Sequence, residues 1–174
     1  ARAIAARDAH LRDDWRAHAR DHALEVQLPF VQRLAAAQGA APRVVTLSCG
    51  TLDLSRLMSA GEAIAAALQE LGRDAESEVL LVVSSDMSHY IPARRARALD
   101  VPALELACAV EPERLHAEVL GKGISMCGIA PAVAGLTAAR ALGATSGRLV
   151  RYGHSGEVTG DDESVVAYAT VAVP

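Results

Sequence analysis

The residue types best suited to chemistry stand together at Ser84–Tyr90, where six of seven positions supply hydroxyl groups, a carboxylate or an imidazole. Five aliphatic residues, Val79–Val83, come directly before them. Such a short and uniform apolar run is typical of a strand buried on both faces. Because ligands of open α/β sheets bind just beyond the carboxyl ends of the strands, we expect a functional site where this run stops.

A second reactive group is the thiol of Cys127, which lies in the glycine-rich segment Gly123–Pro131. The proline and the apolar spacing that follows predict a helix over about 128–143. Cys127 then stands at the helix N-terminus, where unpaired N–H groups and the positive end of the helix dipole favour a thiolate. A functional thiol and a structural cysteine beside a tight glycine turn both fit this spacing.

His22 and Glu25 form a third candidate pair, three residues apart. They share a helical face if Asp21 begins the turn, although a capped helix with a solvated acid explains the same pattern without a site. Pro29 falls inside the apolar stripe that follows and predicts either a kink or two separate helices.

The remaining cysteines and histidines have simpler interpretations. Cys49 and Cys108 are predicted to be packing residues because no cationic group flanks Cys49 and alanines surround Cys108. His116 is predicted to be a surface residue. His154 is either a ligand or a histidine on a surface loop, and the loop is the commoner setting.

A βαβ unit is predicted around the first candidate site. Its strands are Val44–Cys49 and Val79–Val83, and its helix begins at Asp53 or Ser55 and is stopped by Gly72. Such a unit implies a parallel strand pair with a right-handed crossover.

The other elements predicted from periodicity are helices over 1–20, 94–110 and 111–123 and strands over 148–152 and 165–173. Pro102 interrupts the second of these helices, so its first part is expected to be a loop that folds over the site.

Composition restricts the class of protein. A chain of 174 residues, 51% of them hydrophobic, is long enough for one core, and we expect a single domain over residues 1–174. The net charge of −4, with acids and bases interspersed, provides no basic stripe for nucleic acid, and no apolar run is long enough for a membrane span. Three irregularly spaced cysteines indicate reduced thiols in a cytoplasmic protein.

Four motifs together carry a family resemblance: His22–Phe30, Ser84–Tyr90, Met126–Gly128 with Pro131, and Ser155–Gly160. In order and spacing they resemble successive signatures of the Memo family, called AmmeMemoRadiSam system protein B in prokaryotes. The resemblance implies a three-layer αβα fold with a mostly parallel or mixed central sheet. That fold is similar to the class III extradiol dioxygenases, which are ring-cleaving enzymes with non-haem iron.

The resemblance also implies that an N-terminal portion of the family's domain is absent from this sequence. Family members carry a Pro-His-Ala-Gly type motif and a further histidine there, and neither motif occurs in these residues. The chain opens at Ala1 within an alanine- and arginine-rich stretch. We therefore expect it to correspond to the C-terminal two-thirds of the domain.

A metal site follows from the same resemblance. Non-haem iron oxygenases generally bind the metal through two histidines and a carboxylate. In the Memo pattern the two histidines belong to the absent portion, and Cys127 takes the place of the carboxylate as metal ligand. Since a soft thiolate suits copper(I), zinc or iron, the expected cofactor is iron or copper.

The remaining site residues are assigned by the same comparison. His89 matches the acid/base beside the metal in the extradiol enzymes, and an imidazole side chain suits proton transfer from a catechol-like hydroxyl. Asp86 can orient that imidazole through a hydrogen bond. His22, Glu25 and Ser85 are expected at the wall of the cofactor pocket.

Three functions stay open at this point. The first is a metal-dependent oxidoreductase acting on a small molecule, aromatic or otherwise, and the Asp86 and His89 pair favours it. The second is a non-catalytic copper- or iron-binding or protein-interaction module, favoured by the cysteine ligand. The third is a metal-free thiol hydrolase that uses Cys127 and His89. The resemblance further implies radical-SAM and AMMECR-type partner proteins.

Overall fold

The computed structural model describes residues 1–71 and 79–174. Its helices are α1 (Arg2–Ala5), α2 (His22–Glu25), α3 (Leu28–Ala37), α4 (Leu54–Glu70), α5 (Ala93–Cys108), α6 (Pro112–Gly121), α7 (Ile129–Ala141) and α8 (Gly156–Thr159), with a 3-10 turn at Trp15–His18. Its strands are β1 (His89–Ile91), β2 (Arg148–His154) and β3 (Val165–Ala172).

The three strands form a small sheet in the order β1, β3, β2, in which both neighbouring pairs are antiparallel. The predicted strands near the C-terminus are therefore confirmed and pair with each other. The prediction of a mostly parallel or mixed central sheet is wrong for the described residues, whose strand pairs are all antiparallel. They establish a mixed α/β fold, and the three-layer arrangement of the extradiol dioxygenases stays a prediction.

The predicted βαβ unit is also wrong in its strands. Val44–Cys49 and Val79–Val83 run as coil, and Leu80 is 84% exposed. A strand is stabilised by ladder hydrogen bonds to a neighbour, and an apolar run encodes a preference for burial without supplying that neighbour. The helix between them is confirmed as α4, and the predicted stop at Gly72 lies outside the described residues.

Helix α4 begins where its capping residue predicts. The Asp53 carboxylate accepts a hydrogen bond from the backbone N–H of Arg56 at 3.1 Å, which satisfies one of the unpaired donors of the first turn. Helices α6 and α7 likewise begin at Pro112 and directly after Gly128, within two residues of their predicted starts.

The predicted break at Pro102 is wrong because α5 is continuous through it. Proline removes the N–H that would bond to the carbonyl of Ala98. Ala98 is exposed, so water can satisfy that carbonyl and the helix can continue. The predicted loop over the site is consequently the first part of a helix.

The N-terminal region is less helical than predicted. Only α1 and the 3-10 turn form within residues 1–20, and Trp15 is 73% exposed. The split at Pro29 is confirmed, since α2 and α3 are separate. Asp21 caps α2 by accepting from the backbone N–H groups of Ala23 and Leu24.

The core lies where α4 packs against α7 and where α5 and α6 meet the sheet and α7. Gly61 sets the spacing of the first pair, because a Cβ there would lie 2.5 Å from the Ala134 carbonyl oxygen and 2.7 Å from the Thr137 Cβ. Helix α7 is buried almost all round, which fixes the position of its N-terminus. Among the described helices, none combines the length and the apolar composition that a membrane span requires.

Candidate functional site

The N-terminus of α7 and the loop before β1 bring three potential ligand groups together. Asp86, His89 and Cys127 each offer one ligand atom, and these atoms all lie within 4.8 Å of one another. The two sequence motifs that carry the chemistry therefore share one location, although they are far apart along the chain. A carboxylate oxygen, an imidazole nitrogen and a sulfur form a mixed donor set.

The loop before β1 is held in place by backbone hydrogen bonds to strand β3. Met87 donates its backbone N–H to the Ala167 carbonyl at 2.8 Å, and Ala167 donates in return to the Ser88 carbonyl at 2.9 Å. Met87 and Ser88 are both buried. With these two side chains packed inward, Asp86 and His89 on either side of them are left at the more open face of the loop.

The N-terminus of α7 is joined to the loop through Ser85 and Gly128. The Ser85 hydroxyl accepts from the backbone N–H of Gly128 at 2.9 Å and donates to the Asp86 carbonyl at 2.7 Å. A Cβ on Gly128 would lie 2.5 Å from the Ser84 carbonyl oxygen and 2.7 Å from the Ser85 hydroxyl. Only glycine permits this close approach. Gly128, the residue after Cys127, therefore sets the distance between the loop and the start of α7.

The polar contacts within the cluster centre on Asp86. Its backbone N–H donates to Cys127 Sγ at 3.2 Å, and its Oδ2 lies 3.5 Å from His89 Nε2. The other ring nitrogen of His89, Nδ1, is shielded from solvent and has no hydrogen-bond partner within residues 1–71 and 79–174. One imidazole nitrogen thus faces a carboxylate, and the other is not engaged by the described protein groups.

The three cysteines differ in their surroundings. Cys127 is exposed, whereas Cys49 and Cys108 are partly buried. Burial raises the pKa of both buried thiols, with the negative charge of Glu105 adding to the effect at Cys108. These two groups are therefore held in the neutral thiol form that suits packing.

Helix α2 lies beside the loop but is joined to it by other side chains than those predicted. The Ser84 hydroxyl donates to the Ala23 carbonyl at 3.1 Å, and Gln27 Nε2 donates to that hydroxyl at 3.3 Å. His22 and Glu25 are exposed and do not belong to the cluster of ligand atoms found in the described residues. Their pocket role stays a prediction.

Sequence reasoning gave no individual role to three residues in or beside the site. Ser125 accepts a hydrogen bond from the His89 backbone N–H at 2.8 Å. Tyr90 places its ring 5.8 Å from that of His89 and has a positive φ of 56°. Asp100 is a buried acid of α5 that binds Ser88. Only Asp100 carried a usable signal, since it stands four residues from both Ala96 and Leu104 on an apolar helix face.

The observed arrangement defines a mixed α/β protein with a cluster of a carboxylate, an imidazole and a thiol at a helix start. The chain matches the Memo-like protein family model over residues 1–172 and belongs to that family, which confirms the predicted resemblance.

Curated relatives agree with this assignment. The chain is 40% identical over 156 residues to a MEMO1 family protein of Aquifex aeolicus, covering 89% of this chain and 55% of that protein. It is 36% identical over 159 residues to a MEMO1 family protein of Methanopyrus kandleri, covering 91% and 54%. A MEMO1 family protein of Methanocaldococcus jannaschii is 34% identical over 160 residues, with 92% and 54% covered. The chain spans about half the length of these relatives.

Proposed function

We propose that this Memo-family chain contributes Cys127, His89 and Asp86 to a site for a transition metal. The observation that carries the proposal is the approach of their three ligand atoms to within 4.8 Å of one another. Thiolate and imidazole are ligands for copper, zinc and iron, and a carboxylate adds a harder donor that suits iron. This donor set accommodates iron or copper, which are the cofactors we propose.

The surroundings of each group fit this role. Cys127 is exposed, so an ion can reach the sulfur from solvent. His89 Nδ1 lacks a protein partner among the described residues and is buried, which is costly unless another group satisfies that nitrogen. A bound metal supplies a Lewis acid and, if it is iron or copper, a redox centre.

A second candidate function is an oxidoreductase related to the extradiol dioxygenases, and the Asp86–His89 pair favours it. With Oδ2 3.5 Å from Nε2, the carboxylate can orient the imidazole. His89 would then accept a proton from the hydroxyl group of a small aromatic substrate. In an oxidoreductase the imidazole of His89 would face the substrate, whereas in a purely metal-binding protein it would coordinate the ion.

The metal-free thiol hydrolase has less support. A hydrolase needs the imidazole to take the proton of the thiol. The hydrogen bonds of Cys127 Sγ in the described structure go to the backbone of Asp86. The sulfur is therefore held by main-chain groups of Asp86. This arrangement suits a metal ligand better than a thiol whose proton is taken by an imidazole.

Anaerobic loading of the full-length protein with iron(II) or copper(I), followed by metal analysis and an aerobic assay with catechol, tests these functions. Bound metal with ring cleavage supports the oxidoreductase, and bound metal without turnover supports the binding protein. If the full-length protein bound neither metal, the proposed site would be overturned. Acylation of Cys127 by a thioester substrate without any metal would favour the hydrolase instead.

A further inference from the structure

Asp100 is a carboxylate with no exposed surface, on the inner face of α5. It lies outside the cluster of ligand groups. Burying a carboxylate is costly unless hydrogen bonds replace the lost water. The partners that provide those bonds therefore indicate what the residue holds in place.

Two elements supply the hydrogen bonds to Asp100. The Ser88 hydroxyl donates to Oδ1 at 2.7 Å, and the Ser88 backbone N–H lies 3.4 Å from Oδ2. The Tyr152 hydroxyl of β2 donates to Oδ2 at 2.9 Å. Burial, together with Asp100, raises the pKa of Tyr152, so this hydroxyl keeps its proton and remains a donor. Asp100 thus ties the site loop and β2 to α5.

Asp100 is connected to the candidate metal site through the peptide bond between Ser88 and His89. The carbonyl of Ser88 accepts from the Ala167 N–H at 2.9 Å, and the N–H of His89 donates to the Ser125 hydroxyl at 2.8 Å. These two groups belong to the same peptide bond. With Asp100 holding the other side of Ser88, the backbone that carries His89 is fixed by β3, by α5 and by the segment leading to Cys127.

We propose that Asp100 is a positioning residue for the metal site: it fixes Ser88 and thereby the placement of His89 relative to Asp86 and Cys127. The inference rests on the proposed function. A carboxylate that only stabilised the core would affect unfolding and leave the coordination of the metal unchanged. Residues behind metal ligands typically alter metal affinity by about 10–100-fold when they are replaced.

Cobalt(II), a spectroscopic probe for thiolate ligation, allows the two roles to be separated. Asp100→Asn and Ser88→Ala are expected to lower cobalt(II) affinity about tenfold and to shift the visible absorption bands of the bound ion. Ser88→Thr, which restores the hydroxyl, is expected to recover the wild-type bands. Tyr152→Phe is the matched control, because it removes one hydrogen bond from the same carboxylate and leaves the bonds to Ser88.

Two measurements in the metal-free protein complete the test. Guanidinium unfolding gives the stability of each variant, and long-range nitrogen–proton NMR gives the ring-nitrogen shifts of His89. We expect those shifts to move in Ser88→Ala and to stay unchanged in Tyr152→Phe. If Asp100→Asn does not fold, Ser88→Ala and its threonine rescue decide the question alone.

The outcomes separate the inference from the proposed function. If the wild-type full-length protein binds none of cobalt(II), iron(II) and copper(I), the proposed function fails, while the His89 shifts still report on Asp100. If Ser88→Ala keeps the wild-type bands, affinity and ring shifts and loses only stability, the positioning role is overturned. Equal spectral changes in Tyr152→Phe and Ser88→Ala would overturn it as well.

Discussion

The backbone N–H of Asp86 donates a hydrogen bond to Cys127 Sγ at 3.2 Å, across 41 positions of sequence. This contact aims the sulfur at the residue whose carboxylate also faces His89. Because the donor is a main-chain group, substitution of the Asp86 side chain does not remove it. The position of the thiol and the chemistry of the carboxylate can therefore be varied separately.

The thiol is expected to be essential for metal loading. Cys127→Ser should lower the affinity for copper(I) or cobalt(II) at least about tenfold, since a serine hydroxyl is a poor substitute for a thiolate ligand. Cys49→Ser and Cys108→Ser are the matched controls and should keep wild-type loading, measured by titration and metal analysis. Equal losses in all three variants would contradict the assignment of Cys127.

Replacement of the imidazole is expected to weaken metal binding too. His89→Ala should lower cobalt(II) affinity by about 10–100-fold if the ring is a ligand or orients one. His116→Ala is a suitable control because His116 contacts the Leu52 carbonyl, away from the cluster. Unchanged affinity combined with loss of catechol turnover would instead assign His89 to proton transfer, as in the oxidoreductase.

Gly128→Ala should disturb both the fold and the site. The new Cβ would meet the Ser84 carbonyl and the Ser85 hydroxyl, so we expect a loss of about 1–3 kcal/mol in unfolding free energy, typical of overpacking. Guanidinium denaturation measures this change.

Gly121→Ala provides the control for that substitution. Gly121 ends α6, and outside its own helix and chain neighbours no atom of the described residues lies within 4 Å of the position of a Cβ. Alanine there should be neutral or stabilise the protein by up to about 1 kcal/mol. Destabilisation by Gly121→Ala but not by Gly128→Ala would contradict the close approach of the loop to the start of α7.

The ion pair of Glu113 and Arg140 predicts a small pH dependence. The two hydrogen bonds from the Arg140 guanidinium, at 2.6 and 2.9 Å, lower the pKa of Glu113 below its ordinary value. A lowered pKa in the folded state adds stability above the ordinary pKa of glutamate, and that stability is lost as the pH falls through the folded value. Both side chains are about 40% exposed, so screening limits the effect to at most about 1 kcal/mol.

Glu113→Gln tests this dependence. The variant should be slightly less stable than wild type at pH 7, and the difference should vanish as the pH is lowered. Glu105→Gln, at an exposed position of α5, is the control. A stability difference that instead grows toward low pH would show that the ion pair does not lower the pKa of Glu113.

Local signals predicted much of this fold, and non-local pairing explains the errors. The starts of α4, α6 and α7 were predictable because Asp53, Pro112 and Gly128 act within one helical turn. The strand prediction for Val79–Val83 failed because a ladder needs a partner that the segment itself does not encode. Pro102 was misjudged because the exposure of Ala98, one turn earlier, is a tertiary property.

The candidate site shows the same difference between local signals and non-local contacts. Residue types and motif spacing identified Asp86, His89 and Cys127, since their chemistry is visible in the sequence. Ser125 and Asp100 were not identified, because a hydroxyl or an acid gains its role from the partner that folding brings to it. Hydrogen-bond partners at long sequence separation are not a property of any local pattern.

The separation of Asp86 from Cys127 along the chain has a thermodynamic consequence. In the unfolded polypeptide these groups are far apart, so an ion that needs both binds almost exclusively to the native state. By mass action, such an ion at a hundred times its dissociation constant adds about 2.7 kcal/mol to the free energy of unfolding. The melting temperature should thus rise with added metal, and exhaustive chelation should yield protein that is easier to digest with proteases.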